Sequence, residues 1–440
     1  MSADILARFI NNANRTDYIE SSPVHSVRLL NHFGNPHQSL RTIHIAGTNG
    51  KGSVAHMLHA IFTRAGYRTG LYTSPHLLEV NERIIVNRMA ITDRELNFYI
   101  GEIIDYVDSD SSLNPTFFDL LTVCAFRYFH DRAVDVAIIE VGLGGRLDST
   151  NVISPLCSII TEISLDHTAI LGDDLVSIAR EKGGIIKEMV PVAAAQQPPH
   201  VLEILKGIAA EKDARFFSMG REFSAINQFE TEGGYRFDYR LTSGTGIELR
   251  EIEIRHPLTK QVGNACLAIT AALITRFEFP LLKDDVIRSG LHELRLKGRF
   301  ETLSADPPVI FDPAHNESAI AEMTALLVKK RPRKEITIVL MLMKDKNLDA
   351  IFDIIRSLRL PVIYFASMDA RCHLPDGEKS GNMFAEIIHR DESLLYRALD
   401  PRISGDSLFF FTGSFRLYRT ALNYALHCAE NRQALKSSGP

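Results

Sequence analysis

The sequence predicts an α/β protein in two parts, each built on a mainly parallel sheet. Three observations carry this. Short apolar runs alternate with helix-period segments through most of the 440 residues, the pattern that strand–helix–strand crossovers leave in a sequence. An early apolar run ends in a glycine-rich turn and passes directly into an amphipathic stretch. Near Leu296–Phe300 the series restarts after a segment of different texture. This length fits two or three domains, each with its own core; residues 1–296 are expected to form the first and 297–440 the second.

Taken in order, Thr42–Ala46 is the first strand, and His44 to Ser53 reads HIAGTNGKGS. The turn holds Gly47, Thr48, Asn49, Gly50, Lys51, Gly52 and Ser53. Val54, Met57, Leu58, Ile61 and Phe62 then recur at helical spacing. Gly70–Thr73, Val134–Val141, Cys157–Ile163 and Val190–Ala194 are further strands, and Phe117–Phe129 is a helix. Phe216–Ile254 alternates polar and apolar residues around Gly-Gly and Ser-Gly-Thr-Gly turns, which predicts a small antiparallel patch. A helix follows over Gln261–Phe277. In the second part Pro308–Phe311, Ile336–Met341, Val362–Ala366 and Leu408–Thr412 read as buried strands. Ser318–Lys330, Leu348–Ser357, Gly381–Ile388 and Phe415–Cys428 read as helices, and Lys436–Pro440 as a frayed tail.

Composition narrows the function. The chain is 45% hydrophobic and 23% charged, ordinary for a soluble globular protein. A net charge of −5 without a long Lys/Arg block argues against nucleic acid as a partner. No apolar run has membrane-spanning length, and the N-terminus lacks the basic and apolar regions of a signal peptide. The five scattered cysteines form no CxxC and no zinc spacing, which points to a reducing cytosol. With no legible heptad or large apolar surface, a monomer is expected.

A strand, a glycine turn with Lys-x-Ser and a helix together aim backbone N–H groups and a helix N-terminus at phosphates. Lys51 supplies a point charge for the β/γ oxygens, so the expected fuel is a nucleoside triphosphate. The spacing departs from the general phosphate-loop pattern, because only Thr48 and Asn49 separate Gly47 from Gly50; the alternative is a turn that merely caps a helix. Ser74 follows a strand at the ligand-facing edge of the sheet, or else caps a proline turn. Glu140 ends an apolar strand, where a carboxylate needs a metal or an ion-pair partner. His167 lies past another strand end, as a ligand or as a structural histidine. Lys182, in AREKGGI, reads by itself as a solvated lysine at a helix end. In the second part, Asp312, His315 and Asn316 close a buried strand, either facing a polyanion or forming an Asx-capped turn.

In order and spacing, GTNGKGS, YTSPHL with NERI, EVGLGGRLDSTN, SLDHT, AREKGGI, GRFE and DPAHN resemble the Mur-ligase superfamily. Within it they are most similar to folylpolyglutamate synthases and the bifunctional dihydrofolate synthases. The resemblance implies a two-domain fold: a phosphate-loop domain with a small antiparallel patch, then a Rossmann-like α/β domain. It implies an ATP-dependent amide ligase that activates a folate carboxylate as an acyl phosphate for attack by L-glutamate. By the same resemblance Gly50, Lys51, Gly52 and Ser53 match the phosphate loop, and Ser74, Glu140 and His167 match Mg²⁺ ligands. Lys182 matches a lysine that is carbamylated and helps hold a second metal. Asn264 matches an asparagine near adenine, Arg299 and Asp312 match contacts to ATP, and His315 a second-domain active-site histidine. Thr116, Phe117, Phe118 and Asp119, with Leu147, Asp148 and Ser149, match the pterin-side pocket of the bifunctional members. Phe117 and Phe118 as plain helix core remain the competing reading.

GGRLDSTN, with Arg146 and Asp148, inclines the expectation toward dihydropteroate as a second substrate. The alternatives are a folylpolyglutamate synthase alone, or a Mur-type ligase acting on a UDP-sugar peptide. The phosphate loop begins within about fifty residues of the start, which leaves little room for a UDP-binding domain.

Overall fold

The computed structural model describes residues 23–243, 246–330, 334–367, 369, 371–375, 383–389 and 391–437. The chain divides into two compact units, Met1–Arg295 and Leu296–Pro440.

In the first unit the strands are β1 (Thr42–Ala46), β2 (Thr69–Tyr72), β3 (Ile84–Val86), β4 (Met89–Ala90), β5 (Val136–Glu140), β6 (Cys157–Ile160), β7 (Val192–Ala194) and β8 (Phe216–Ser218). They form one sheet in the order β4-β3-β2-β5-β1-β6-β7-β8. From β2 to β8 all pairings are parallel; β3 and β4 add an antiparallel edge. From β1 the chain crosses over the place of β5 to reach β2, then returns to build β6 on the opposite side. That reversal leaves a crevice at the carboxyl end of β1, where α/β sheets bind ligands.

The unit's helices are α1 (Val24–His32), α2 (Lys51–Arg64), α3 (Asp93–Ser109), α4 (Phe117–Asp131), α5 (Thr168–Leu171), α6 (Leu175–Gly183), α7 (Pro199–Glu211), α8 (Lys260–Ile274) and α9 (Asp284–Glu293). Every residue of β1 and β5 is buried, as expected of strands covered on both faces. By register, His44 and Ala46 share a sheet face with Ile139, Ile160 and Ala194. One apolar cluster on that face draws on α1, α3 and α4; a second draws on α6 and α7. Gly290 of α9 lies against Ile61 of α2 so closely that a Cβ would sit 2.9 Å from its Cα.

The antiparallel patch comprises β9 (Phe223–Thr231), β10 (Gly234–Leu241) and β11 (Ile247–Ile254). The expected patch began too early: Phe216–Ser218 pairs in parallel with β7 as the last strand of the large sheet. A three-residue strand is too short to display its pairing partner in its own sequence.

The second unit has β12 (Glu301–Ala305), β13 (Pro308–Asp312), β14 (Glu335–Leu340), β15 (Val362–Ala366), β16 (Glu386–His389) and β17 (Ser407–Thr412), in the order β12-β13-β17-β14-β15-β16. Only β12 runs antiparallel to its neighbour. Its helices are α10 (Glu317–Lys330), α11 (Leu348–Ser357), α12 (Glu392–Leu399) and α13 (Tyr418–Ser437). The helix expected over Gly381–Ile388 is not borne out: Glu386–His389 pairs with β15 as an edge strand, and residues 381–382 lie outside the described residues. Ile387 and Ile388 are β-branched, which favours a strand once a sheet edge is available. The expected tail at Lys436–Pro440 is helical through Ser437, and residues 438–440 lie outside the described residues. The signal-peptide reading also falls on residues outside them. Among the described residues no helix is long and apolar enough to cross a membrane.

Candidate active site

Strand β1 delivers the chain into the glycine loop, and Gly50 caps α2 with φ +93°. Two glycines are required there by close approach. A Cβ on Gly47 would lie 1.8 Å from Thr161 Oγ1, and one on Gly50 would lie 2.6 Å from Asn264 Oδ1. The segment after β6 pins the loop from outside. Thr48 N–H donates to the Glu162 carbonyl at 2.7 Å, the Thr48 hydroxyl to the Ser164 carbonyl at 3.0 Å, and Asn49 Nδ2 to Ser164 Oγ at 3.2 Å. The loop is therefore held in shape by the protein itself.

Two ammonium groups converge on one carbonyl of this loop. Lys51 Nζ donates to Gly47 O at 3.0 Å and to Thr48 O at 3.2 Å. Lys182 Nζ donates to the same Gly47 O at 2.8 Å. Lys182 is 4% exposed, so the solvated lysine suggested by its local sequence is corrected: α6 carries it beneath the phosphate loop. Burial first, and the Lys51 charge second, push its pKa down to about 7. Paired cations at a loop of backbone N–H groups suit an anion with several oxygens. Ser53 is buried and accepts a hydrogen bond from Gln261 Nε2 at 3.3 Å; Gln261 Oε1 in turn accepts from Asn264 Nδ2 at 3.0 Å.

Glu140 is 3% exposed at the end of β5, and the Ser74 N–H donates to its Oε2 at 3.0 Å. His167 lies on the loop after β6, in the left-handed region with φ +50°, and its Nε2 is 3.9 Å from Asp166 Oδ2. Among the described residues no three His, Cys, Asp or Glu side chains form a metal cage. Magnesium does not require one, because it is held by one or two carboxylates plus nucleotide oxygens and water. A buried carboxylate beside a serine at the sheet edge, next to a phosphate loop, fits an ion of that kind.

The pterin-side residues of the sequence reading are mostly tied into the scaffold. Thr116 caps α4, with its hydroxyl accepting from Asp119 N–H. Asp119 is fully buried; Oδ1 accepts from Ser26 and Ser149 hydroxyls at 2.6 Å each, and Oδ2 from the Thr116 N–H and hydroxyl at 2.8 and 2.7 Å. Asp148 Oδ2 accepts from Gly142 N–H at 3.0 Å and Leu143 N–H at 2.9 Å, and Oδ1 from Thr150 N–H at 3.0 Å and the Thr150 hydroxyl. Burial pushes the Asp148 pKa up to about 6 against those donors. Phe118 is buried, stacks on Tyr72 at 5.7 Å and fills the space beside Gly142. Phe117 is only partly buried and carries the Arg83 guanidinium 5.4 Å above its ring. Leu147 is half-buried.

In the second unit, Asp312 Oδ2 accepts from Phe300 N–H and Oδ1 from Ala314 N–H, both at 2.9 Å. Its carboxyl is raised by burial, with the Arg299 charge opposing. Asp312 thereby shapes both the loop bearing Arg299 and the one bearing His315. Arg299 stacks over Phe415 at 4.9 Å, and His315 Nδ1 donates to the Pro313 carbonyl at 2.8 Å. Sequence reasoning missed Thr161, Gln261, Ser26 and Thr150. Gln261 could have been found, because it lies three residues before Asn264 on one helix face; the others meet their partners only through tertiary packing.

A lysine-bearing glycine loop, an acidic strand end and a second α/β unit define an ATP-dependent ligase of the Mur type, and residues 45–272 match the Mur ligase middle domain. The chain is 34% identical over 347 residues to the dihydrofolate synthase/folylpolyglutamate synthase of Bacillus subtilis, covering 78% of this chain and 80% of that one. Folylpolyglutamate synthase of Mycobacterium tuberculosis, complexed with ADP and AMPPCP, matches with a TM-score of 0.81 and 30% identity, over 92% of this chain and 95% of that one. A folylpolyglutamate synthase complex with AMPPCP and folate matches with a TM-score of 0.78 and 28% identity, over 93% and 98%. The chain belongs to the family of folylpolyglutamate and dihydrofolate synthases, which are ATP-dependent carboxylate–amine ligases.

Proposed function

We propose that this protein joins L-glutamate to tetrahydrofolate-type substrates and also to dihydropteroate, forming dihydrofolate in the second case. The observation that carries the reading is the convergence of Lys51 and Lys182 on the Gly47 carbonyl, at the head of α2. A carboxylate is a poor electrophile. Its oxygen attacks the γ-phosphorus of ATP, ADP leaves, and the acyl phosphate forms. The α-amine of glutamate then attacks the acyl carbon, and the tetrahedral intermediate expels phosphate and loses a proton.

This chemistry needs positioning and charge neutralisation more than covalent help. The loop N–H groups orient the β/γ phosphates, and Lys51 turns from its own carbonyls to the transferring group. By the family resemblance, Arg299 and Asp312 would contact ATP, His315 would serve the reaction, and Asn264 would lie near the adenine. Glu140, Ser74 and His167 would hold Mg²⁺, which when bound neutralises charge on the phosphate oxygens. A lysine buried and lowered to about 7 is partly neutral at physiological pH, the form that takes up CO₂. Carbamylated Lys182 would then offer oxygens to a second metal. Phe117, Phe118 and Leu147 supply the apolar surface for the pterin, with Thr116, Asp119, Asp148 and Ser149 holding that surface in place. The protein is read as a cytosolic monomer; its five cysteines are all free and buried, as suits a reducing compartment.

The test is phosphate release from ATP with Mg²⁺ and L-glutamate, run with dihydropteroate, with tetrahydrofolate and with a UDP-muramoyl peptide precursor. Activity with both pteridines supports the bifunctional reading. Activity with tetrahydrofolate alone restricts it to polyglutamylation, and release only with the UDP precursor overturns it.

A further inference from the structure

We propose that His44 is a positioning residue for the pteridine side of this reaction: through Thr150 it holds the Asp148 carboxylate, and with it the turn at Gly142 and Leu143 that follows Glu140. The inference rests on the folate–glutamate ligase reading and extends it to a residue of β1 that touches no substrate.

His44 is fully buried in the middle of β1, on the sheet face otherwise covered by apolar clusters. Its Nε2 lies 2.9 Å from Thr150 Oγ1. The Thr150 hydroxyl donates its one proton to Asp148 Oδ1. Toward His44 the same oxygen must therefore accept, which places the imidazole proton on Nε2. The chain of donors runs His44 to Thr150 to Asp148, and the other Asp148 oxygen collects the Gly142 and Leu143 N–H groups. Burial, aided by the Lys187 charge, keeps the ring neutral, with a pKa of about 3. A neutral ring has a single N–H, so its direction matters.

The arrangement leaves His44 Nδ1 buried without a hydrogen-bond partner among the described residues. An orphaned buried nitrogen is unfavourable, and an aliphatic side chain would fill a buried strand position without one. Packing alone does not account for an imidazole here; the hydrogen bond to Thr150 does. Three residues beyond His44 the strand becomes the phosphate loop at Gly47. One side chain thus links the strand that carries the phosphate loop to the turn that borders Phe118 and the pterin side.

The experiment compares the full-length wild type with His44→Leu, His44→Gln, Thr150→Val and the His44→Leu/Thr150→Val double variant. It measures KM for the active pteridine and for ATP, kcat, thermal unfolding, and the His44 tautomer by nitrogen–proton NMR. We expect an Nε2–H tautomer in the wild type. His44→Leu and Thr150→Val should each raise the pteridine KM about fivefold to tenfold, the scale of one buried hydrogen bond, with ATP KM changed less than about twofold. The double variant should be no worse than either single one, as for members of one chain. His44→Gln, whose amide nitrogen still donates toward Thr150, should recover most of the loss. If His44→Leu does not fold, the wild-type tautomer and the kinetics of His44→Gln carry the test, because Thr150→Val removes the Thr150–Asp148 hydrogen bond as well as the acceptor for His44. An Nδ1–H tautomer, an unchanged pteridine KM, or a parallel rise in both KM values without rescue by glutamine would overturn the proposal. A wild type inactive on every pteridine would overturn the functional reading, and the tautomer would then report on the chain by itself.

Discussion

Asp148 shows how much a single buried carboxylate governs. Four donors converge on it, two on each oxygen, and still burial raises its pKa to about 6. The folded state therefore binds this proton more tightly than the unfolded state, whose carboxyl titrates near the ordinary aspartate value of 3.8. The resulting contribution to stability is present below pH ~4 and is lost as pH rises through about 6. Asp148→Asn cannot titrate, and it offers one acceptor oxygen where the aspartate offers two. The variant should be less stable than wild type at every pH. The gap should narrow from pH 4 to pH 7, by up to about 3 kcal/mol for a two-unit shift. Urea unfolding of both proteins across that range checks the sign; a gap that widens would show that Asp148 is not held in this way. Lys51 acts differently, through charge on the transferring group. Lys51→Ala should lower kcat by about 100- to 1,000-fold with little change in thermal unfolding, measured by phosphate release.

At the scale of elements, the loop between β1 and α2 is shaped by what presses on it. Thr161 of the segment after β6 occupies the space that a side chain on residue 47 would need, and Asn264 of α8 does so for residue 50. Gly47→Ala should raise the KM for ATP by about tenfold or more, because the loop must move off Thr161 to admit a methyl group. Gly47→Ala with Thr161→Ser should not recover it, since serine keeps the Oγ that lies at 1.8 Å. Thr161→Gly with Gly47→Ala should recover part of it, as the contacts to Oγ1 and Cβ are then removed and only the residue-161 Cα, at 3.1 Å, remains. Steady-state kinetics distinguishes these outcomes. Helix α4 illustrates the converse, an element whose N-terminus is also a joint: Asp119 completes the capping box with Thr116 and ties Ser26 of α1 to Ser149.

For the whole molecule the useful observable is ligand-linked stability. A nucleotide that binds only the folded protein stabilises it by RT ln(1 + [L]/Kd), about 2.7 kcal/mol at a hundredfold excess over Kd. A non-hydrolysable ATP analogue with Mg²⁺ should therefore raise the unfolding temperature of the wild type. Chelating the metal should remove much of that rise, and in Glu140→Gln the rise should be smaller and less dependent on metal. An equal, metal-independent rise in both proteins would remove Glu140 from the proposed ligands. Scanning fluorimetry reads all four conditions.

Much of this molecule is local enough to be legible in its sequence. The strands Thr42–Ala46 and Val362–Ala366 and the helix Leu348–Ser357 follow from apolar runs and helical periodicity, and the structure has the same bounds. The glycine loop is equally legible, because strand, turn, lysine and helix adjoin in the chain. Tertiary structure alone decided where Lys182 goes, because burial beneath Gly47 joins residues 135 positions apart. It also decided that Phe216–Ser218 joins a parallel sheet, that Glu386–His389 is a strand, and that His44, Thr150 and Asp148 form one chain of hydrogen bonds. The physical reason is the same in each case. Periodicity and turn chemistry act over a few neighbouring residues, whereas burial, pKa and hydrogen-bond partners depend on which distant segments the fold brings together.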